Sequence, residues 1–448
     1  MGVSRGELGR KLVHVAVGHF ALLLRWLTWP QAALLAVGAF VFNWQVLPRL
    51  GGRALWREHE HGRGHALGIL LYPLSVLGVI LLFRHELWMA AAVWGILAWG
   101  DGMASVAGQL LGGPRLPWNA RKGWIGTAAF VAFGALGAAA FAGWAARLPP
   151  HTWVSSRVLG LTLILAIACA LVESLPTTLD DNLTVPLTAA VVLPLLVRAE
   201  PAQLLALPDL PRRLLLGLGI NAAIALLAFV ARSIDLGGAL SAVVIGTAIT
   251  VGLGLPGLAV MVAFFVIGTA ATKLGYRVKA ARGIAQEKGG ARGWRNAWAN
   301  GGVPAALALM AALAPAPERA LFAVAYAAAV ATAAADTCSS EIGKAYGRRT
   351  FLITTLRPVP PGTEGAVSVE GTLGGMLGGF AVAAVGAALA LFSWPVAAIV
   401  GLAGLLGSLL ESVLGTVAER EGWMGNDALN ALNTAMGAGL AVVLVRLA

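Results

Sequence analysis

The chain has 448 residues, 58% of them hydrophobic and only 12% charged, with a mean hydropathy of +0.80 and a formal net charge of +11. A soluble domain carries about twice that share of charged residues, so composition excludes a soluble enzyme and indicates a polytopic membrane protein. The positive balance sits in a few loops, where it orients a membrane protein and draws anionic headgroups or substrates; a nucleic-acid partner is not indicated.

In chain order, Arg5, Arg10 and Lys11 precede a first apolar run, as in a signal peptide. Arg25 interrupts that run and no small-residue cleavage site follows, so it reads as an uncleaved first helix. Apolar stretches long enough to cross a bilayer then recur. The expected spans are 12–29, 31–47, 66–83, 87–109, 124–147, 158–173, 183–197, 213–230, 238–253, 257–273, 301–313, 320–335, 371–392, 396–411 and 432–447. Cys169 and Cys338 both fall inside such stretches, which suggests no disulfide framework.

With the N-terminus inside and sides alternating, the basic loops at 49–65, 115–122, 273–295 and 344–357 all fall on the cytosolic side. The short outer loops carry few cations, as the positive-inside bias requires. The expectation is an all-α integral protein of the cytoplasmic membrane with about fifteen transmembrane helices.

Two halves carry the same landmarks. Asp101, Ser105, Gly108 and Gly112 recur with identical spacing as Asp336, Ser340, Gly343 and Gly347. Gly126-Thr127 and Gly371-Thr372 each open a glycine-rich helix, and Glu173-Ser174 and Glu411-Ser412 each end one. An Asp/Asn group follows: Asp180-Asp181-Asn182 in the first half, and Asn426-Asp427, Asn430 and Asn433 in the second. Four matches in one order suggest two parallel seven-helix repeats, residues 1–200 and 233–448, joined by a segment at 201–232 with one extra crossing. Both acidic clusters then open to the cytosol.

A carboxylate at the end of a membrane helix is costly unless it is partnered or functional. Carboxylates and amide oxygens suit Mg²⁺, which bridges to substrate phosphates and offsets charge on a transferring phosphoryl group. The candidate metal ligands are Asp101, Glu173, Asp180 and Asp181 in one half, and Asp336, Glu341, Glu411, Asn426 and Asp427 in the other. Ser105, Gly108, Gly112, Gly126, Thr127 and Asn182 are candidates for nucleotide or phosphate contact, as are Ser340, Gly343, Lys344, Gly371, Thr372, Asn430 and Asn433. Small residues let backbone approach a phosphate, although the same glycines serve close helix packing equally well. Lys122, four residues before Gly126, is placed to reach a phosphate. With Asp101, Asp181, Asp336 and Glu370 it completes the candidate catalytic set. No phosphate-loop or dinucleotide fingerprint is present. His59, His61 and His65 share one basic loop and read as solvated.

The run from Gly100 to Gly112, Lys122-Gly123-Trp124-Ile125-Gly126-Thr127, and the stretch Val172-Glu173-Ser174 to Pro186 resemble phytol kinase, which groups with dolichol kinase and, more distantly, the phosphatidate cytidylyltransferases. The runs from Asp336 to Gly343, Gly362 to Thr372, and Asn426 to Asn433 resemble phytyl-phosphate kinase. The resemblance implies a membrane-embedded isoprenoid alcohol as acceptor, its monophosphate as the second substrate, CTP or another nucleoside triphosphate as donor, and Mg²⁺. Where Lys122 aligns, the second half has Val367, so its cation must come from Lys344, Arg357 or the 273–295 loop. That loop holds seven basic residues and one Glu, whereas 49–65 holds four Arg and two Glu, as suits a second acceptor that already carries phosphate. The alternatives are cytidylyl transfer to a lipid phosphate and a transporter with parallel repeats. The acids at helix ends, away from a midplane site, count against the transporter. No oligomeric interface is read from the sequence.

Overall fold

The computed structural model describes residues 5–50, 67–176, 179–286, 292–418 and 425–448. The chain divides into two compact units, Met1–Arg198 and Ala199–Ala448. Among the described residues, eleven helices are long and apolar enough to cross a membrane. Most of the basic loop at 49–65, with its three histidines, lies outside the described residues.

The first unit begins with α1 (Arg5–Gly18), which runs on as a 3₁₀ segment to Arg25. Three residues later α2 starts at Trp29, and its helical path continues to Leu50. Then come α3 (Leu67–Leu82), α4 (Leu87–Leu111), a two-stranded hairpin (β1, Arg115–Leu116; β2, Asn119–Gly123), α5 (Trp124–Ala145), α6 (Ser156–Glu173) and α7 (Asp181–Arg198). The second unit contains α8 (Leu210–Val230), α9 (Leu236–Lys273), the short α10 (Tyr276–Ala281), α11 (Trp294–Leu313) and α12 (Ala316–Tyr346). Two short strands follow (β3, Phe351–Leu352; β4, Ala366–Val367), then α13 (Val369–Ala388), α14 (Trp394–Ala418) and α15 (Asn426–Leu447).

Each unit is arranged around its most buried helix. The most apolar stretch of α4 is 72% buried and that of α12 is 78%, against 50% or less for the other nine. Sequence explains the choice. Ala90-Ala91-Ala92 and Ala327-Ala328-Ala329 leave so little side chain that neighbouring backbones close in from all sides, and in lipid such packing drives association. These two helices carry Asp101 and Asp336, so each acid enters the protein on the element least exposed to lipid.

The expected pair of spans at 238–253 and 257–273 forms two helical segments of α9 that meet at a kink at Gly254, whose φ of 68° only glycine tolerates easily, just before Pro256. The stretches at 12–29, 66–83 and 301–313 are also helical, in α1 with its continuation, α3 and α11, but are shorter or more polar than the eleven. Helix α11 starts seven residues before the expected position, because its first turns hold Arg295, Asn296 and Asn300. The extra helix α8 packs on α9 within the second unit.

Candidate active site

Asp101 stands where α4 departs from α-helical geometry. Residues Ile96–Asp101 form a π turn, a local widening that recurs at functional positions. His14 Nε2 on α1 donates to the Leu97 carbonyl within that turn at 3.0 Å and lies 3.5 Å from Asp101 Oδ2. Lys11, one helical turn earlier on α1, places its ammonium 2.9 and 2.8 Å from the two Asp101 oxygens. A carboxylate this deeply buried needs such a partner, and α1 supplies it.

The second cation comes from the hairpin. Trp118 Nε1 donates to Ser174 Oγ (3.1 Å), and Asn119 Nδ2 donates to the Ser174 carbonyl (3.0 Å). The turn is thereby held to the end of α6, and Lys122 on β2 reaches both Glu173 and Asp181, the latter at 3.1 Å. Burial works against the Lys122 ammonium, but the Asp181 and Glu173 carboxylates beside it hold its pKa above the ordinary lysine value. Asp180 Oδ1 accepts from the Asn182 amide (2.9 Å), and the Asn182 side chain donates to the Gly68 carbonyl on α3 (3.2 Å). Gly68 leaves room there, since a Cβ would lie 2.8 Å from Asp180 Oδ2 and the Asp180 carboxylate would have to shift.

Asp101, Glu173 and Asp181 thus converge from three helices, each offering an oxygen within 4.8 Å of the others. This all-oxygen, anionic set fits Mg²⁺. The three acids and Lys11, Lys122 and His14 lie at one end of a cavity of about 1040 Å³. Its other walls are apolar, with Val17, Phe20, Leu24, Ala36, Val76 and Ile80 among them. One pocket therefore joins a hydrocarbon-lined trough to a charged head.

The remaining first-half candidates take other places. Ser105, Gly108, Gly112, Gly126 and Thr127 are not part of the cavity wall. Gly108 and Gly126 instead form a close crossing of α4 and α5, where a Cβ on Gly126 would lie 3.0 Å from the Ala104 carbonyl. Gly112 ends α4 at φ 66°, and Thr127 donates to the Gly123 carbonyl at 3.2 Å.

In the second unit a smaller, more polar pocket of about 110 Å³ is lined by Asp336, Ser340, Gly343, Lys344, Gly371, Thr372, Glu411 and Asn426. Ser339, Glu364 and Ser368 join them. Asp336 and Glu411 both line this pocket, where the two carboxylates would hold a divalent cation. Among the described residues, Lys344 is the cation considered for this half that lines the pocket; Arg357 is exposed and not part of its wall. Glu341 turns elsewhere: it pairs with the fully buried Lys279 of α10, and Gln286 reaches it at 3.4 Å. Glu370, Asp427, Asn430 and Asn433 do not line the pocket, and Asn430 and Asn433 are buried in α15.

Three contributors were not among the sequence candidates. Lys11 and His14 lie in what reads as a positively flanked first helix, and Gly68 looks like an ordinary glycine in an apolar run. The available signal was the pair of polar residues, Lys11 and His14, three apart at the start of an otherwise apolar stretch, which places both on one helix face.

The family model described as integral membrane protein DUF92 matches residues 219–438. An uncharacterised membrane protein of Synechocystis sp. is 42% identical over 200 residues, covering 44% of this chain and 78% of that protein. The chloroplast protein VTE6 of Arabidopsis thaliana is 38% identical over 212 residues, covering 46% of this chain and 64% of that protein. A Synechocystis sp. protein named phytol kinase is 33% identical over 211 residues, covering 43% of this chain and 80% of that protein. No solved structure matches the chain.

Proposed function

The chain belongs to the DUF92 family of integral membrane proteins and is related to phytol and farnesol kinases, and from that premise we propose a two-step membrane phosphotransferase. The first unit phosphorylates an isoprenoid alcohol, and the second converts the monophosphate to the diphosphate. The observation that carries this reading is the first unit's cavity, apolar along most of its wall and closed at one end by three carboxylates and two lysines. The alcohol's tail lies along the apolar wall, and its hydroxyl meets the donor at the charged end.

Asp101, Glu173 and Asp181 would hold Mg²⁺, which offsets charge on the phosphoryl group when bound. Lys122 neutralises the incoming phosphates. Lys11 engages both oxygens of Asp101 and fixes its position. Asp181 meets Lys122 through one oxygen, which leaves its other oxygen for the cation. In the second unit Asp336 and Glu411 would hold the cation, and Lys344 replaces Lys122. We take residues 1–200 and 233–448 as the two catalytic units, with fifteen crossings and both sites facing the cytosol. The recurrence of the Gly108–Gly126 crossing at Gly343 and Gly371 supports reading the two units as copies of one plan.

The test is phosphoryl transfer by the purified protein in lipid nanodiscs, with phytol or farnesol and labelled CTP or ATP. Monophosphate followed by diphosphate, with nucleoside diphosphate released and activity lost to chelator, supports the reading. Pyrophosphate release would indicate cytidylyl transfer instead, and no product from any alcohol would overturn it.

A further inference from the structure

Helix α1 with its continuation and helix α2 are joined by only three residues, yet they stand apart. Helix α1 packs on α4, α2 packs on α3, and the large cavity lies between. Its two banks are Val17, Phe20 and Leu23 on one side and Leu35 and Phe42 on the other. These residues line the cavity and are exposed at the same time: Phe20 is 59% exposed and Leu35 is 55%. The back wall differs, since Leu24, Ala36, Val76 and Ile80 are buried. The cavity is thus a trough whose open side is apolar and flanked by membrane-length helix, while its charged end lies beside the exposed Arg121.

We propose that this gap is a lateral portal through which an isoprenoid alcohol slides from the bilayer into the site, while the nucleotide arrives at the charged end from water. The proposal rests on the alcohol-kinase reading for its occupant. Physics favours the route, because a tail that moves from lipid to trough never crosses water and so never loses its apolar environment. A hydroxyl drawn sideways along the trough meets Lys11, His14 and Asp101 at its end.

The test places cysteines at Phe20 and Leu35 (F20C, L35C) and bridges them with reductant-cleavable bis-thiosulfonates of graded length. The native Cys169 and Cys338 are buried. Bridging should lower phosphorylation of a four-isoprene alcohol by about tenfold or more, as for a blocked gate, and reductant should restore it in the same sample. A bridged protein that keeps its rate on the long alcohol overturns the portal. Labelling by a photoreactive four-isoprene alcohol, without nucleotide, separates the two ideas. Labelling lost on bridging and regained on reduction supports the portal even if no alcohol is ever phosphorylated, whereas labelling that ignores the bridge overturns it.

Discussion

Lys122 sits between two carboxylates that would repel each other without it, so Lys122→Met removes the proposed phosphate contact and strands Glu173 and Asp181. Monophosphate formation should fall by about a hundredfold or more, the scale for a lost charge-stabilising donor. Breaking a buried pair costs about 3–5 kcal/mol, and the partial exposure of Lys122 and Asp181 places this case near about 2–3 kcal/mol, read as a lowered melting temperature. The pKa of Lys122 is raised in the folded state, so its contribution is fully present below the unfolded lysine value, near 10.5, and is lost as pH rises through the higher folded one. Lys122 itself therefore adds no pH dependence through neutral pH; the difference in melting temperature between wild type and K122M should shrink in strong alkali, and on the acid side as the stranded carboxylates take up protons. At this scale the acids were legible, because a carboxylate at the end of an apolar run is costly enough to need a reason. Lys11 was not, because a cation beginning a first membrane helix has an ordinary explanation in topology.

Among the elements, the crossing of a glycine-rich helix over the acid-bearing one is built twice. A Cβ on Gly126 would stand 3.0 Å from the Ala104 carbonyl, and one on Gly371 would stand 2.7 Å from the Ser339 carbonyl and 3.2 Å from the Gly343 Cα. Both obstacles are backbone, so the helices must separate, at about 1–3 kcal/mol for overpacking. The tighter contact should suffer more. Gly371→Ala should reduce conversion of supplied monophosphate further than Gly126→Ala reduces its formation, measured as separate initial rates. Equal effects would show that the two crossings are not equally close to their sites. The repeat spacing revealed these glycines, but not that those of the first unit pack helices while Gly343 and Gly371 also line a pocket. Spacing fixes which face a residue takes, and the neighbour it meets depends on tertiary packing. The break at Gly254 was legible as a boundary between two apolar runs. The true start of α11 was hidden, because Arg295, Asn296 and Asn300 lower its hydropathy as though it were a loop.

At the scale of the whole chain, each unit brings its own acids to its own pocket: three carboxylates with a long apolar trough in the first, Asp336 and Glu411 in a small polar pocket in the second. If the steps are separate, Asp101→Asn should abolish phosphorylation of the alcohol yet still extend supplied monophosphate, and Asp336→Asn should accumulate monophosphate. Chromatography of the labelled lipids distinguishes these outcomes, and equal loss of both steps in each variant would mean one shared site. The membrane class was legible from composition alone. The difference in pocket size was not, because the trough depends on where α1 and α2 fail to touch, and hydropathy does not encode a gap between two equally apolar helices.

The π turn at Ile96–Asp101 holds one residue more than the α-helix would, while the segments on either side keep their α geometry. Excising Ala98 should let the ladder close over the surplus, with α4 still inserted and packed. The Leu97 oxygen would then be drawn into the helix and lost to His14, and Asp101 would no longer sit at a widened turn. A single missing codon would leave a folded protein, with a lowered melting temperature, that is silent toward alcohols. A deletion variant that still made monophosphate at the normal rate would show that the spare residue has no part in the chemistry.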